Sequence, residues 1–383
     1  VGVTTLAALT DEQTLMRDQA KIWASKQAPV NKFRAMRDSC IEQRFDAQTW
    51  SEIIEMGWTG ILVPEEYGGS DLDYLAFGIV LEELGRHLTA SPLFASALVG
   101  ATALNIAGSG TQKQTFLPKI VDGSEILTLA IDESNQHAPA DISLKAQATD
   151  AGYRLNGKKG FVLEGMAATT FVVATRTSGE KGDTNGITLF LIPADSPGLK
   201  RELISTMDSR GYANISFEGV EVPADAVLGV LDQGWEPLDA ILDRARAGLG
   251  AEMLGCAAQA FDMTLEYLKT REQFGEVIGS FQALGHRAAA LFTGLELARS
   301  CAEAALQAID EEAHNIPQMC SLSKSRLSDY LHEMSTQLIQ IHGGIGMTDE
   351  FDAGFYLKRA RALEGRYGNA GFHRDRYASA LGY

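Results

Sequence analysis

Four cysteines in 383 residues are too few and too scattered for a disulfide framework. Cys40, Cys256, Cys301 and Cys320 share no metal-ligand spacing. Cys256 and Cys301 fall inside apolar helical patterns, so buried free thiols in a reducing cytoplasm are expected, with no metal centre. No apolar run approaches the length of a membrane span, and the first residues carry no signal-peptide pattern. Positive charge is scarce as well. Lys and Arg number 33 against 50 Asp and Glu, a formal charge of -17, which disfavours nucleic acid and anionic membranes as partners. The same deficit makes an Arg in a polar, glycine-rich stretch more informative, because a phosphate ligand needs local positive charge. No GxGxxG follows a strand-like run, so a Rossmann dinucleotide site is disfavoured. Short repeats and low-complexity segments are missing too.

What is present centres on residues 243–347. Leu254, Ala258, Phe261, Leu265 and Leu268 step by four and three, which predicts one apolar helical face. Arg271-Glu272-Gln273-Phe274-Gly275 interrupts it, and Ser280 is a candidate cap for the next helix. That helix carries Leu284, Ala288, Leu291, Leu295, Ala298, Ala302, Ala305 and Ile309 on one face, and Asn315 with Pro317 is expected to end it. A third face, Leu327, Leu331, Met334, Leu338 and Ile341, stops at Gly343-Gly344. Sustained four-three spacing predicts a helical bundle, one that also packs against a second subunit.

Upstream, Thr10-Asp11-Glu12-Gln13 has the form of a capping box and predicts a helix carrying Leu15, Met16, Ala20 and Trp23. Another is expected from Asp46, burying Trp50, Ile53 and Ile54, and long helices are expected over residues 72–108. Near Ile126 the pattern changes. Residues 127–131, 153–155, 170–174, 186–192 and 213–222 are rich in β-branched residues, with Asn156-Gly157 as a hairpin-turn candidate. Short strands at such spacing predict a small β-barrel or sandwich. The chain is helical again from Gly234. At this length, roughly two to three domains with ample core are expected.

The motifs RxQFG, SFQAL and QxxGGxG, together with VPEEYGGSD, IVLEELGR, YRLNGKK and VEVPADAVLG in order along the chain, resemble the flavin-dependent acyl-CoA dehydrogenases. The resemblance covers nearly the whole sequence. It implies an α+β, mostly α fold: an N-terminal helical domain (1–124), a β-barrel domain (125–231) and a C-terminal four-helix bundle (232–383) holding cofactor and oligomer contacts. It implies FAD as cofactor, with Arg271, Gln273, Phe274, Phe281, Gln340, Gly343 and Gly344 at its adenosine and pyrophosphate end, reaching toward the flavin of a neighbouring subunit. Such a role suits the residue types: a guanidinium pairs with pyrophosphate oxygens, an aromatic ring lies near adenine, and glycines let backbone approach. Asp243 and Arg246 match positions that contact the acyl-CoA substrate. For Asp243 an exposed, salt-bridged helix start is the alternative.

The departures from the family pattern carry equal weight. Where the family has TEPxxGSD, this chain has Ile131-Asp132-Glu133-Ser134-Asn135-Gln136-His137, and only Glu133 and its neighbourhood match. The Trp-Ile-Ser/Thr element that packs on the flavin ring becomes Phe161-Val162-Leu163, without the hydroxyl. Dehydrogenation beside a thioester requires a carboxylate to take the α-proton. The two positions that usually supply it are Tyr367 and Ala245 here. Glu364, one helical turn before Tyr367, is the candidate replacement, against the plainer reading of a surface Glu. Three functions are compatible: an acyl-CoA dehydrogenase with an unusual base; a subunit of a heteromeric enzyme resembling those that act on steroid or other ring-bearing CoA esters; and a non-catalytic subunit completing a related chain's FAD site. Electron-transfer flavoprotein or a similar acceptor is the implied electron partner.

Overall fold

The structure, a computed structural model, describes residues 9–383. Helix α1 (Asp11–Gln27) opens on Thr10, whose hydroxyl accepts from the Gln13 N–H while the Gln13 side chain accepts from the Thr10 N–H, both at 3.1 Å. This is the reciprocal cap that the sequence predicted. α2 (Val30–Ser39) follows without a comparable start signal. α3 (Ala47–Glu55) is capped by Asp46, which accepts from the N–H and hydroxyl of Thr49 at 2.8 Å. It buries Trp50 and Ile53, whereas Ile54 is half-buried. The helical stretch expected over 72–108 divides into α4 (Tyr74–Arg86), a π-helical run (Phe94–Gly100) and α5 (Ala101–Ala107). Leu88, with φ at +54°, marks the break. α6 (Gly110–Val121) starts on a second reciprocal cap, Ser109 with Gln112.

The β region comprises β1 (Leu127–Ala130), β2 (Lys145–Thr149), β3 (Gly152–Leu163), β4 (Thr170–Arg176), β5 (Ile187–Pro193), β6 (Leu199–Ile204), β7 (Tyr212–Pro223) and β8 (Val227–Leu228). They form one eight-stranded sheet in the order β6-β7-β3-β2-β4-β5-β8, with β1 parallel to β4. Alternate residues share one face of each strand, so Phe171 and Val173 join Phe190, Ile192, Ile215, Phe217 and Val220 in a single buried cluster. One expectation is corrected here. Asn156-Gly157 is not a hairpin turn: the chain reverses between Thr149 and Gly152. Asn156 and Gly157 lie inside β3 at a register shift against β7, and the Asn156 side chain accepts from the Gly219 N–H at 2.9 Å. The extra residue of that bulge is Gly219 on β7, with φ at +68°, so Asn156 braces a bulge in the neighbouring strand rather than turning its own.

The C-terminal part contains α7 (Trp235–Thr270), a hairpin of β9 (Glu272–Gln273) and β10 (Glu276–Val277), then α8 (Gln282–Asp310), α9 (Ile316–His342), α10 (Ala353–Gly365) and α11 (Ala370–Ala380). The predicted apolar faces of α8 and α9 are buried from Leu291 to Ile309 and from Leu327 to Ile341. Ser280 does not cap α8. Its hydroxyl donates to Glu276 and to the Val277 carbonyl, and Phe281 stands at the cap position without a side-chain bond. Pro317 opens α9 rather than ending α8, as its missing N–H allows in a first turn. None of the four cysteines is in a disulfide: Cys256 and Cys320 are buried, Cys301 is half-buried and Cys40 is exposed. The chain forms two compact units. One takes residues up to Phe33 with Tyr74–Thr89 and Arg246–Tyr383; the other takes Arg34–Asp73 and Ala90–Ala245. Among the described residues no helix is long and apolar enough to cross a membrane.

Candidate active site

The glycine-rich interruptions form a projecting hairpin and a helix end. After α7, the Arg271 N–H still donates to the Tyr267 carbonyl (2.9 Å), and the Arg271 carbonyl accepts from the Ile278 N–H (2.7 Å). Between these bonds β9 and β10 pair antiparallel, Glu276 opposite Gln273. Phe274 and Gly275 at the tip have φ of +57° and +84°, the signature of a two-residue I′ turn. Left-handed backbone is unfavourable for an aromatic residue. Here it directs the Phe274 ring outward, 92% exposed, with an edge-on contact to the half-buried Phe281 (6.3 Å). Arg271 and Gln273 are exposed too, as are Gln340, Gly343 and Gly344 at the end of α9. The two motifs are tied together by a residue that the sequence reading did not single out. His342 stacks on Tyr267 with ring centroids 4.2 Å apart. The result is one outward-facing set of guanidinium, amide, aromatic ring and bare backbone.

The turn at Tyr367, read from the family resemblance as the base position, is a second feature of the same helical unit. Tyr367 has φ at +53° and is 2% exposed. Its hydroxyl accepts from Arg366 Nη2 (3.0 Å), and that guanidinium lies 4.3 Å over its ring. Its carbonyl accepts from Arg246 Nε (3.4 Å) and His373 Nε2 (3.0 Å). Lys324 Nζ donates to the carbonyls of Glu364 (3.1 Å) and Gly368 (2.9 Å) and to the Ser328 hydroxyl (3.1 Å). Three buried basic side chains therefore lace one turn through its backbone oxygens. Burial, with Arg246 nearby and Glu364 opposing, brings Lys324 down to about 7. Burial beside Arg246 and Lys324 brings His373 down to about 2, so its imidazole is neutral. The Glu364 carboxylate accepts from Arg361 Nη1 (2.5 Å) and pairs with His332 Nδ1 (3.1 Å). Asp243 is 2% exposed and Arg246 fully buried, which overturns the exposed helix start considered for Asp243. Ala245 between them is buried as well. Lys324 and His373 gave no signal in the sequence, because an isolated Lys or His in a helix reads as a surface residue.

The third feature, residues 131–137 with the end of β3, belongs to the other unit. Glu133 accepts from the N–H groups of Ser143 (2.8 Å) and Leu144 (3.0 Å) and from Lys159 Nζ (2.7 Å). Lys159 is fully buried and also donates to the Ile131 carbonyl (2.9 Å). Burial lowers its pKa, and Glu133 opposes that shift. Asp132 bonds His137 Nδ1 (2.9 Å), and the Ser134 hydroxyl donates to the Gln136 carbonyl (3.0 Å). Phe161, left-handed at φ +50°, is 41% exposed beside a register shift in β3, and Leu163 is buried.

These residues fit the adenosine and pyrophosphate end of FAD. The hairpin and helix end offer a cation, an amide and an aromatic face outward, and a side-chain carbon added at Gly343 or Gly344 would meet nothing. At the flavin-facing segment Phe161 supplies a ring, while the carboxylates of Asp132 and Glu133 are held by groups of their own unit. Family models for the N-terminal, middle and C-terminal domains of acyl-CoA dehydrogenases match residues 10–124, 133–220 and 232–382. A probable acyl-CoA dehydrogenase of Bacillus subtilis, YngJ, is 32% identical over 370 residues, covering 93% of this chain and 94% of that protein. Butyryl-CoA dehydrogenase from Megasphaera elsdenii superposes with a TM-score of 0.91 at 26% identity, covering 98% and 99% of the two chains. A chain of the ChsE4-ChsE5 complex from Mycobacterium tuberculosis does so with 0.89 at 26% identity, over 99% of each. The chain belongs to the acyl-CoA dehydrogenase family and is an FAD-dependent oxidoreductase of acyl-CoA thioesters.

Proposed function

We propose that this chain works as one subunit of a heteromeric acyl-CoA dehydrogenase, in which a related partner supplies the catalytic carboxylate and the flavin-facing loops. The reaction removes the α-proton and the β-hydride of an acyl-CoA thioester and leaves an α,β-unsaturated thioester. Bound FAD supplies the hydride acceptor, and electron-transfer flavoprotein or a similar protein takes the electrons onward. Arg271, Gln273, Phe274, Phe281, Gln340, Gly343 and Gly344 hold the adenosine and pyrophosphate end. In this reading Asp243 and Arg246 act on the substrate side of α7.

The observation that carries the reading is Tyr367. At the position where the family resemblance puts the proton-taking carboxylate, a phenol is buried and held by Arg366. The nearest carboxylate in sequence, Glu364, is engaged by Arg361 and His332. A homo-oligomer would repeat that deficit in every site. A heteromer tolerates it in one chain, whose outward-facing hairpin still serves the other. The test is the flavin absorption spectrum of the chain purified alone and co-expressed with its genomic neighbour. Flavin and substrate-dependent bleaching are expected only on co-expression. A homo-oligomer with one FAD per chain overturns the proposal.

A further inference from the structure

Two loops far apart in sequence, residues 271–281 and 340–347, must keep a fixed relation if they are to grip one ligand. Backbone hydrogen bonds close each loop on itself, and the link between them is made by side chains. Tyr267 lies one turn before Arg271 on α7, and His342 immediately precedes Gly343, where φ is +61°. The imidazole stacks on Tyr267 at 4.2 Å and meets the tilted ring of Phe351 at 4.7 Å, so His342 contacts both rings. His342 Nδ1 lies 2.8 Å from the Leu338 carbonyl. A carbonyl only accepts, so the proton is on Nδ1 and Nε2 carries a lone pair. His342 is 3% exposed, and Nε2 has no hydrogen-bond partner within the chain.

We propose that His342 is a positioning residue that locks the two FAD-gripping loops together, and that its protonation unlocks them. Adding a proton at Nε2 creates a buried N–H donor with no acceptor in the chain, and places a charge where water does not reach. Burial accordingly lowers the His342 pKa, opposed by the Leu338 carbonyl, and no charged side chain contributes to the shift. The titratable group packed against it from α7 is Tyr267, and the segment after α9 brings the apolar Phe351 ring. Neutral His342 thus holds its contacts with Tyr267 and Phe351, and acid strains them.

The loop grip rests on the cofactor reading above, so the first measurement avoids flavin. Amide hydrogen exchange of residues 272–278 and 343–347 is followed in the full chain, wild type and His342→Phe, at matched mildly alkaline and acid pH. The Phe ring keeps the ring contacts but cannot be protonated. In the wild type, protection of both loops is expected to fall together by about tenfold in acid, the equivalent of about 1.4 kcal/mol. In His342→Phe the two pH values are expected to give equal protection after correction for intrinsic exchange. An identical acid loss in His342→Phe, or loops that lose protection independently, overturns the proposal. The second measurement is release of fluorescent FAD from the flavin-loaded complex. His342→Phe is expected to abolish the acid-triggered component, and His342→Gln is expected to speed release at every pH. If exchange behaves as stated and release does not, the loops are coupled and the cofactor reading fails instead. If His342→Gln does not fold, the Phe variant alone decides.

Discussion

The hairpin at residues 271–278 and the segment at 131–137, both read from the sequence resemblance as flavin-binding stretches, use their polar groups in opposite ways. In the hairpin, Arg271 and Gln273 face solvent and Phe274 is held outward by strained backbone. In the segment, Asp132, Glu133 and Ser134 bond to groups of their own unit, and Lys159 is buried beneath them. Motif identity alone therefore does not assign a role. Glu133 matches the family pattern and serves as an anchor, whereas Phe274, among the most exposed aromatic residues described, is free to serve a ligand.

The comparison breaks most visibly at Glu133. Glu133→Ala leaves Lys159 buried without its carboxylate, and losing one partner of a buried pair costs about 3–5 kcal/mol. Thermal unfolding should fall by many degrees, and Glu133→Ala with Lys159→Met should recover part of the loss. An unchanged midpoint would mean that the segment is held by other contacts. Arg271→Ala makes the opposite change. No fold contact is lost, so the midpoint should hold, while FAD retention in the co-expressed complex drops through lost charge-assisted bonds of about 1.5–3 kcal/mol. Undiminished occupancy would remove Arg271 from the cofactor site. The smallest effect is expected for Glu364→Gln. It weakens partly exposed pairs with Arg361 and His332, about 1 kcal/mol or less, and flavin reduction by substrate in the complex should persist. Loss of that reduction would return the base to this chain.

Much of the fold was legible because it rests on periodicity and caps. Thr10 and Asp46 mark helix starts, and the four-three faces of α8 and α9 are buried from Leu291 and Leu327 onward, with Leu284 and Ala288 half-buried. The errors share one cause: local chemistry with two uses. Asn156 can brace a bulge in the neighbouring strand as well as form a turn, Ser280 found nearer partners than the α8 terminus, and Pro317 fits the start of a helix as well as its end. In the candidate site, the hairpin residues could be named from sequence because motifs are contiguous. The basic cluster of Arg246, Lys324 and His373 could not be assembled, because its members meet only once α7, α9 and α11 are packed. The inward use of Glu133 was equally hidden, since its partners lie 10 to 26 residues away.

The cysteine distribution gives the molecule a built-in clock. A thiol reagent meets Cys40 at once, Cys301 more slowly, and Cys256 and Cys320 only when the helices around them open. Burial raises the Cys301 pKa, which reduces its thiolate fraction and slows it further. Cys256 lies against the Gly85 carbonyl at 3.3 Å, so its modification times the parting of α7 from the end of α4. Counting thiols against time thus follows the breathing of the helical unit in unlabelled protein, with or without a flavin to watch.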